Sequence, residues 1–352
     1  WDRAIISFYL INYANANDSD TPNPTNETWN FELPPWRWNV SVSLCMAVIG
    51  TVANGALLLV ILLNRHLRTT SNILVCNLAI ADLMMFFFSV PMTTVMWLFI
   101  SWPGGALGSF LCKIGGGAWV LAQVLSATSL TAVSIERYCS LRRRVVMKRT
   151  VAILVIVWAI GLVFAIPLLV FGHTKYVPAY DRRFCHLMPY SFVAIRAYFT
   201  AYGVLTYFLP VLVIMGCYVG MARVLISRAS GESIESVRAR RRLAIVVLLL
   251  ATAFAVFWFL YHFVNMFFLY TDWESLDLGN FQVYMRLIEV AHVLIYVNSC
   301  INPFVVFLIS RVHRQPLLDF LLCCRKKSAS GLGRRYDAVP AGVYAETTLS
   351  AQ

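Results

Sequence analysis

Long apolar stretches alternate with short polar connections, most of them basic. Seven stretches carry no charge or one. They lie between Arg37 and Arg65, from Asn72 to Ile100, between Lys113 and Glu136, between Arg149 and Lys175, from Arg196 to Arg223, from Arg242 to Asp272, and from Glu289 to Arg311. A helix needs about 20 mostly apolar residues to cross a bilayer, and every stretch is long enough. Period-two alternation, the mark of a membrane β-barrel, is absent. The pattern predicts an all-α membrane protein, a seven-transmembrane helix bundle over residues 39–310. Residues 1–38 read as an outer tail, 311–324 as a short amphipathic eighth helix on the membrane surface, and 325–352 as an inner tail.

Composition agrees. Apolar residues make up 59% of the chain and charged residues 13%. A soluble domain has about 45–50% and about 25%, so a water-soluble particle, a disordered chain and a coiled coil are excluded. The net charge of +12 takes its meaning from location. Most basic residues fall on the side reached after the first span, including Arg65, Arg68, Arg142, Arg149, Arg241 and Arg242, and in the tail Arg325, Lys326 and Lys327. Basic loops stay in the cytosol. The expected topology is multi-pass in the plasma membrane, N-terminus outside and C-terminus cytoplasmic. The charge therefore calls for membrane lipids and not for nucleic acid. Asn17-Asp18-Ser19 and Asn26-Glu27-Thr28 are glycosylation sequons on the outer tail. Asn39-Val40-Ser41 also matches but lies too near the membrane. No internal hydropathy repeat supports a transporter built from two halves.

Ionisable residues inside spans are costly and are functional candidates by default. Asp82 sits mid-span. Its carboxylate needs a cation, a proton or donors. Asn54, Ser126, Asn298, Ser299 and Asn302 offer polar partners from other spans, and oxygen ligands of this kind suit a hard monovalent cation. A protonated, hydrogen-bonded structural Asp fits equally well. Glu136-Arg137-Tyr138 closes the third span. The pair can act as a latch, but an exposed helix-end ion pair, worth under about 1 kcal/mol, is the simpler reading. Cys112 and Cys185 both face the oxidising side, where a disulfide would tie the second outer loop over the bundle mouth. Cys323-Cys324 follows an apolar run and precedes three basic residues, a setting for palmitoylation or for unmodified interfacial thiols.

Pro91, Pro167, Pro210 and Pro303 fall inside spans and permit bends. Trp258, Tyr261, His262 and Asn265 share one face of the sixth span, and Trp119 and Gln123 one face of the third. Gly115-Gly116-Gly117 reads as a close helix contact or a flexible point. There is no phosphate loop, HExxH motif, paired catalytic carboxylate or zinc-spaced Cys/His set, so the sequence is not that of an enzyme.

Taken in order, these residues are similar to the rhodopsin-like (class A) G-protein-coupled receptors over about residues 40–325. The matching pieces are Asn54, Asn77-Leu78-Ala79 with Asp82, Cys112, Glu136-Arg137-Tyr138, Trp158, Pro210, Tyr218, Phe254, Trp258 and Asn302-Pro303. The resemblance implies an outer half that binds a ligand and an inner half that engages a heterotrimeric G protein, with arrestin and receptor kinases as further partners. It implies coupling and activation roles for Glu136, Arg137, Tyr138, Tyr218, Phe254, Asn302 and Pro303. It tips Asp82, Ser126, Asn298, Ser299 and Asn302 toward an allosteric sodium site, with no cofactor otherwise required. Trp119 stands where amine receptors carry an aspartate, and Tyr296 where opsins carry the retinal lysine. The lining of Trp119, Gln123, Trp258, Tyr261, His262, Asn265, Arg286, Glu289 and His292 looks like that of a peptide receptor. Local segments resemble the ghrelin, motilin, neuromedin-U and thyrotropin-releasing-hormone branch, with galanin- and allatostatin-like receptors as close competitors.

Four features depart from the family pattern. Leu260 replaces a proline, which implies a straighter sixth helix. Val306 replaces the tyrosine of the Asn-Pro-x-x-Tyr motif. The second inner loop, Cys139–Met147, is short and lacks its usual proline, and Arg240 sits near where some relatives place an acid. These keep a second reading open, a seven-span protein that binds ligand but signals weakly.

Overall fold

The computed structural model describes residues 38–98, 101–143, 149–177, 182–187, 192–227, 234–271, 278–310 and 312–318. The sequons at Asn17 and Asn26, the cysteines Cys323 and Cys324, and most of both tails lie outside these residues. So do residues 144–148 of the second inner loop, and nothing is described of the Arg240 side chain.

Among the described residues seven helices are long and apolar enough to cross a membrane. They are α1 (Trp38–Leu63), α2 (Thr70–Met84, continued through a π-helical turn, Met85–Ser89, into Val90–Leu98), α3 (Gly105–Arg143), α4 (Thr150–Phe171), α5 (Phe192–Gly203, a π turn Val204–Phe208, then Leu209–Ser227), α6 (Ile234–Tyr270) and α7 (Leu278–Ile309). Each follows one predicted stretch. The helix ends extend past the charges that bounded the windows, because Lys and Arg stems reach the membrane surface from inside a helix. Residues 312–318, within the expected surface helix, are helical too.

The helices close a ring. α1 packs on α2 and α7, α7 on α6, α6 on α5, and α3 runs through the middle against α2, α4, α5 and α6. α3 is the most buried span, while α1 and α4 are the least. The outward faces of α1 and α4 carry exposed Val48, Val52, Leu59, Val151, Val155 and Val163. In water such a surface would aggregate, whereas lipid covers it at no cost.

The three glycines of α3 are contact points. A Cβ on Gly115 would lie 2.8 Å from the Met92 sulfur, on Gly116 2.3 Å from Leu187, and on Gly117 2.4 Å from Leu169. Each hydrogen in place of a methyl admits a different neighbour, which settles the two sequence readings in favour of close packing.

Both π turns end just before a proline, Pro91 and Pro210. A proline ring collides with the carbonyl four residues back and withholds an N–H from it. A π turn, bonded five residues apart, relieves that collision. α6 carries Leu260 instead and is one uninterrupted α-helix, as its lack of proline predicts.

Between α4 and α5, β1 (His173–Val177) and β2 (Arg182–His186) form an antiparallel hairpin that pairs His173 with His186. The Cys112–Cys185 disulfide fastens it to α3. The Trp102 amide donates to the Arg183 carbonyl at 2.8 Å, and the Ser109 and Thr174 hydroxyls meet at 3.0 Å.

Candidate functional site

The outer half holds a layer of aromatic and polar side chains. Trp119 of α3 stacks on His292 of α7 at 6.1 Å and meets the edge of Tyr261 at 6.0 Å. His262 of α6 stacks on Tyr207 at 4.7 Å and contacts Tyr202 and Trp258 at 5.6 and 6.0 Å. Phe254 lies one helical turn inward, against Trp258 and Tyr207. Gln123 accepts a hydrogen bond from the Tyr202 hydroxyl. Gln123, His262 and Trp258 are all buried. Yet Gln123 Nε2, His262 Nε2 and Trp258 Nε1 have no hydrogen-bond partner among the described residues. Buried polar atoms are rarely left so, and three in one layer mark a place where a polar ligand group is wanted.

Two residues at the rim behave differently. The Asn265 amide is spent on its own helix, donating to the Tyr261 carbonyl at 2.7 Å. Arg286 is exposed and donates to the largely buried Glu289 at 3.2 Å.

The sequence reading missed Tyr202 and Tyr207. Five residues apart, they would point in different directions on a regular α-helix. The π turn between them places residues five apart on one face, so both reach His262. The proline at 210 was the available signal, but it marks a distortion without giving its kind.

Halfway down, Asp82 is 1% exposed and accepts from Asn302 Nδ2 at 2.8 Å. Asn54 donates to the carbonyls of Gly50 and Ser299, tying α1 to α7. Ser126, Asn298 and Ser299 are buried as well. Asp82 Oδ1, Asn54 Oδ1 and Asn298 Oδ1 have no hydrogen-bond partner among the described residues. Orphaned amide and carboxylate oxygens are the donors a hard monovalent cation takes, so by their chemistry these residues fit the sodium expectation. Nearby, Asn77 braces three helices: its amide donates to Ser129 of α3 at 2.7 Å and accepts from the Trp158 indole of α4 at 2.9 Å.

At the inner end Glu136 is only 3% exposed and accepts from the Ser71 hydroxyl. Arg137 Nε lies 3.7 Å from its carboxylate. The simpler sequence reading, an exposed helix-end pair, is therefore corrected. The acid is buried and held from α2 by Ser71. Tyr138 packs on Gly220, where a Cβ would lie 2.5 Å from its ring, and Arg142 donates to its hydroxyl at 2.7 Å. Tyr218 packs against the core, and Pro303 and Val306 are buried in α7.

Two histidines outside the spans make stability pH-dependent. Burial, helped by the Arg137 and His66 charges, holds His313 down to about 4. Burial, helped by His173 and Lys175, holds His186 down to about 4. The unfolded chain, with an imidazole near about 6.5, binds these protons more tightly. Stability is thus fully present above about pH 6.5 and is lost as pH falls towards 4, on the order of 3 kcal/mol per group over the whole window. Tm in detergent should drop between pH 7 and pH 4.5, and His313→Phe and His186→Phe should each flatten the curve. An unaltered slope in both variants would remove the imidazoles from this account.

Residues 53–305 match the 7 transmembrane receptor (rhodopsin family). The chain is 29% identical to the Tachykinin-like peptides receptor 86C of Drosophila melanogaster over 325 residues, covering 86% of this chain and 62% of that receptor. It is 28% identical to the Neuropeptide CCHamide-1 receptor of the same fly, covering 81% of this chain and 59% of the other. It is 27% identical to Galanin receptor 2b of Danio rerio, covering 88% and 83%. The chain thus spans about three fifths of the length of the two fly receptors.

Proposed function

The chain belongs to the rhodopsin family of seven-transmembrane receptors, and on that premise we propose that this multi-pass membrane protein binds an extracellular peptide and activates a heterotrimeric G protein. The observation that carries the reading is the buried outer layer with unpartnered Gln123, His262 and Trp258 atoms. The distribution of basic residues supports an outside N-terminus, which puts that layer at the extracellular end and Arg137 at the cytosolic end. Trp119, Tyr261 and His292 wall the layer, while Arg286 and Glu289 stand at its rim.

A peptide activates only if it prefers the conformation with an opened inner cavity, since equal affinity for both states shifts nothing. Phe254 and Trp258 connect the ligand layer to the inner part of α6. Opening would separate Glu136 from Ser71 and free Arg137 for the G protein. Tyr138, Tyr218, Asn302 and Pro303 line that route. Asp82, Ser126, Asn298, Ser299 and Asn302 would hold a sodium ion, which supplies positive charge to the buried carboxylate. Arrestin and receptor kinases would read the same cytosolic face, with glycans at Asn17 and Asn26 and palmitate at Cys323 and Cys324.

The test is a panel of tachykinin-like, CCHamide-1 and galanin peptides, with second-messenger output in cells. A saturable response to at least one is expected. Silence across the panel, with receptor present at the surface, would overturn the reading.

Weak signalling is the second reading, and buried Val306 favours it. An apolar side chain there offers no hydroxyl to the active state. Val306→Tyr adds one, worth about 1 kcal/mol or roughly fivefold in the active-to-inactive ratio. Maximal G-protein activation should rise accordingly; an unchanged maximum would count against this role.

A further inference from the structure

We infer that the Tyr207 hydroxyl is the positioning group about which α6 bends when the receptor is activated, in the role that a proline in place of Leu260 would otherwise fill. The inference rests on the receptor reading and names how a signal leaves the aromatic layer.

α6 is a regular α-helix of 37 residues. A rigid tilt would carry His262 and Trp258 out of their stacked layer, so an opening at the inner end calls for a bend below that layer. Without a proline no such bend is built in. The Tyr207 side chain of α5 reaches the helix at the place where one is needed. Its hydroxyl donates to the Ala255 carbonyl at 2.6 Å, about one helical turn inward of Trp258. The Tyr207 ring stacks on His262 at 4.7 Å and leans on Phe254 at 5.8 Å. A single side chain thus touches the ligand layer, the aromatic ring beneath it and the α6 backbone beside that ring.

Such a bond shifts a conformational balance only if it counts more in one state than in the other. In the regular helix the Ala255 carbonyl also accepts from the Phe259 N–H, four residues on. The Tyr207 hydroxyl is then a second donor to one oxygen. A side chain that enters the ladder of helix hydrogen bonds is a known cause of bending. As α6 bends at this turn, the Phe259 N–H draws away and the hydroxyl becomes the carbonyl's remaining donor. Inside a span no water replaces a lost donor. Removing the hydroxyl therefore takes one of two donors from the straight helix but leaves the bent helix with an unsatisfied carbonyl. The second loss is the larger. A proline at position 260 would act on the neighbouring carbonyl, that of Val256, by withholding an N–H. The two devices loosen adjacent rungs of the same helix.

Tyr207→Phe keeps the ring and its stacking and removes the hydroxyl alone. The test uses the most potent peptide of the panel above, with surface receptor counted. Maximal G-protein activation should fall at least about fivefold. That fall should exceed any change in peptide affinity on membranes uncoupled from G protein. Leu260→Pro supplies a bend in both states, so in its background Tyr207→Phe should change the maximum by less than about twofold. Equal losses in the two backgrounds, or affinity and maximum falling together, would make the hydroxyl a plain structural contact and overturn the inference. If Leu260→Pro fails to reach the surface, hydrogen exchange carries the test. Peptide should speed exchange at the Phe259 amide in the wild type and do so less in Tyr207→Phe. A Phe259 amide that stays protected in the peptide-bound wild type, or that opens equally in both proteins, would remove the bend from this turn. A wild type silent to every peptide overturns the receptor reading itself. A responsive wild type beside a fully active Tyr207→Phe overturns this inference alone.

Discussion

Cys112→Ser and Cys185→Ser should each cut peptide potency by at least a hundredfold, and the double variant should be no worse than either. The bond joins residues 73 apart and anchors the β1–β2 hairpin to the outer end of α3. A cross-link of that span withholds on the order of 4 kcal/mol of chain entropy from states in which the hairpin is detached. Without it the hairpin keeps weaker ties such as the Trp102 and Arg183 amide bonds and the Ser109–Thr174 hydroxyl pair, each worth about 1 kcal/mol. Cys112 is fully buried, so its thiol would also be left beside the backbone in a cramped site. Dose–response curves normalised to surface receptor, with unpermeabilised cells stained for an outer epitope, separate lost potency from lost export. Losses that multiply in the double variant would mean that the two thiols act singly.

Asp82→Asn should abolish sodium sensitivity of agonist binding. In the wild type, replacing an organic cation by sodium at physiological strength should weaken peptide binding about tenfold, equivalent to about 1.4 kcal/mol of preference for one conformation. The variant keeps the Asn302 contact geometry but removes the charge that attracts the ion. Its binding should be flat across the same exchange. Competition binding on membranes measures this directly, without any signalling readout. A sodium effect that survives in the variant would send the ion elsewhere and leave Asp82 as a hydrogen-bonded structural acid. The wild type is also expected to be the more stable protein in sodium, as a ligand confined to the folded state requires.

The number and order of spans were legible because lipid imposes one rule on every residue of a crossing helix. A charge-free stretch of about 20 residues is what that rule demands, and a helix buried in a soluble core is usually shorter. Trp258, Tyr261 and His262 were legible as a face because α6 is regular over its whole length. The triple glycine was ambiguous in sequence, since a missing side chain looks the same whether it serves flexibility or contact. Met92, Leu187 and Leu169 decided it. Ser71 was invisible as the partner of Glu136, because an ordinary serine 65 residues away carries no local signal. Asn39 drew notice only as a sequon, yet it is buried against α7 neighbours and unavailable to a glycan.

The π turn in α5 carries a consequence for how such a chain can change. Its extra residue is taken up within one wide turn, so the helix keeps nearly the same rotational phase on both sides. Deleting one of the two residues between Val204 and Tyr207 would let the segment wind as an ordinary α-helix. Tyr202 and Tyr207 would then stand four apart and still share a face. The same loss from a regular span such as α6 would instead rotate everything beyond it by about 100°. A single-codon loss is thus absorbed at this turn where elsewhere in the bundle it would scramble the packing.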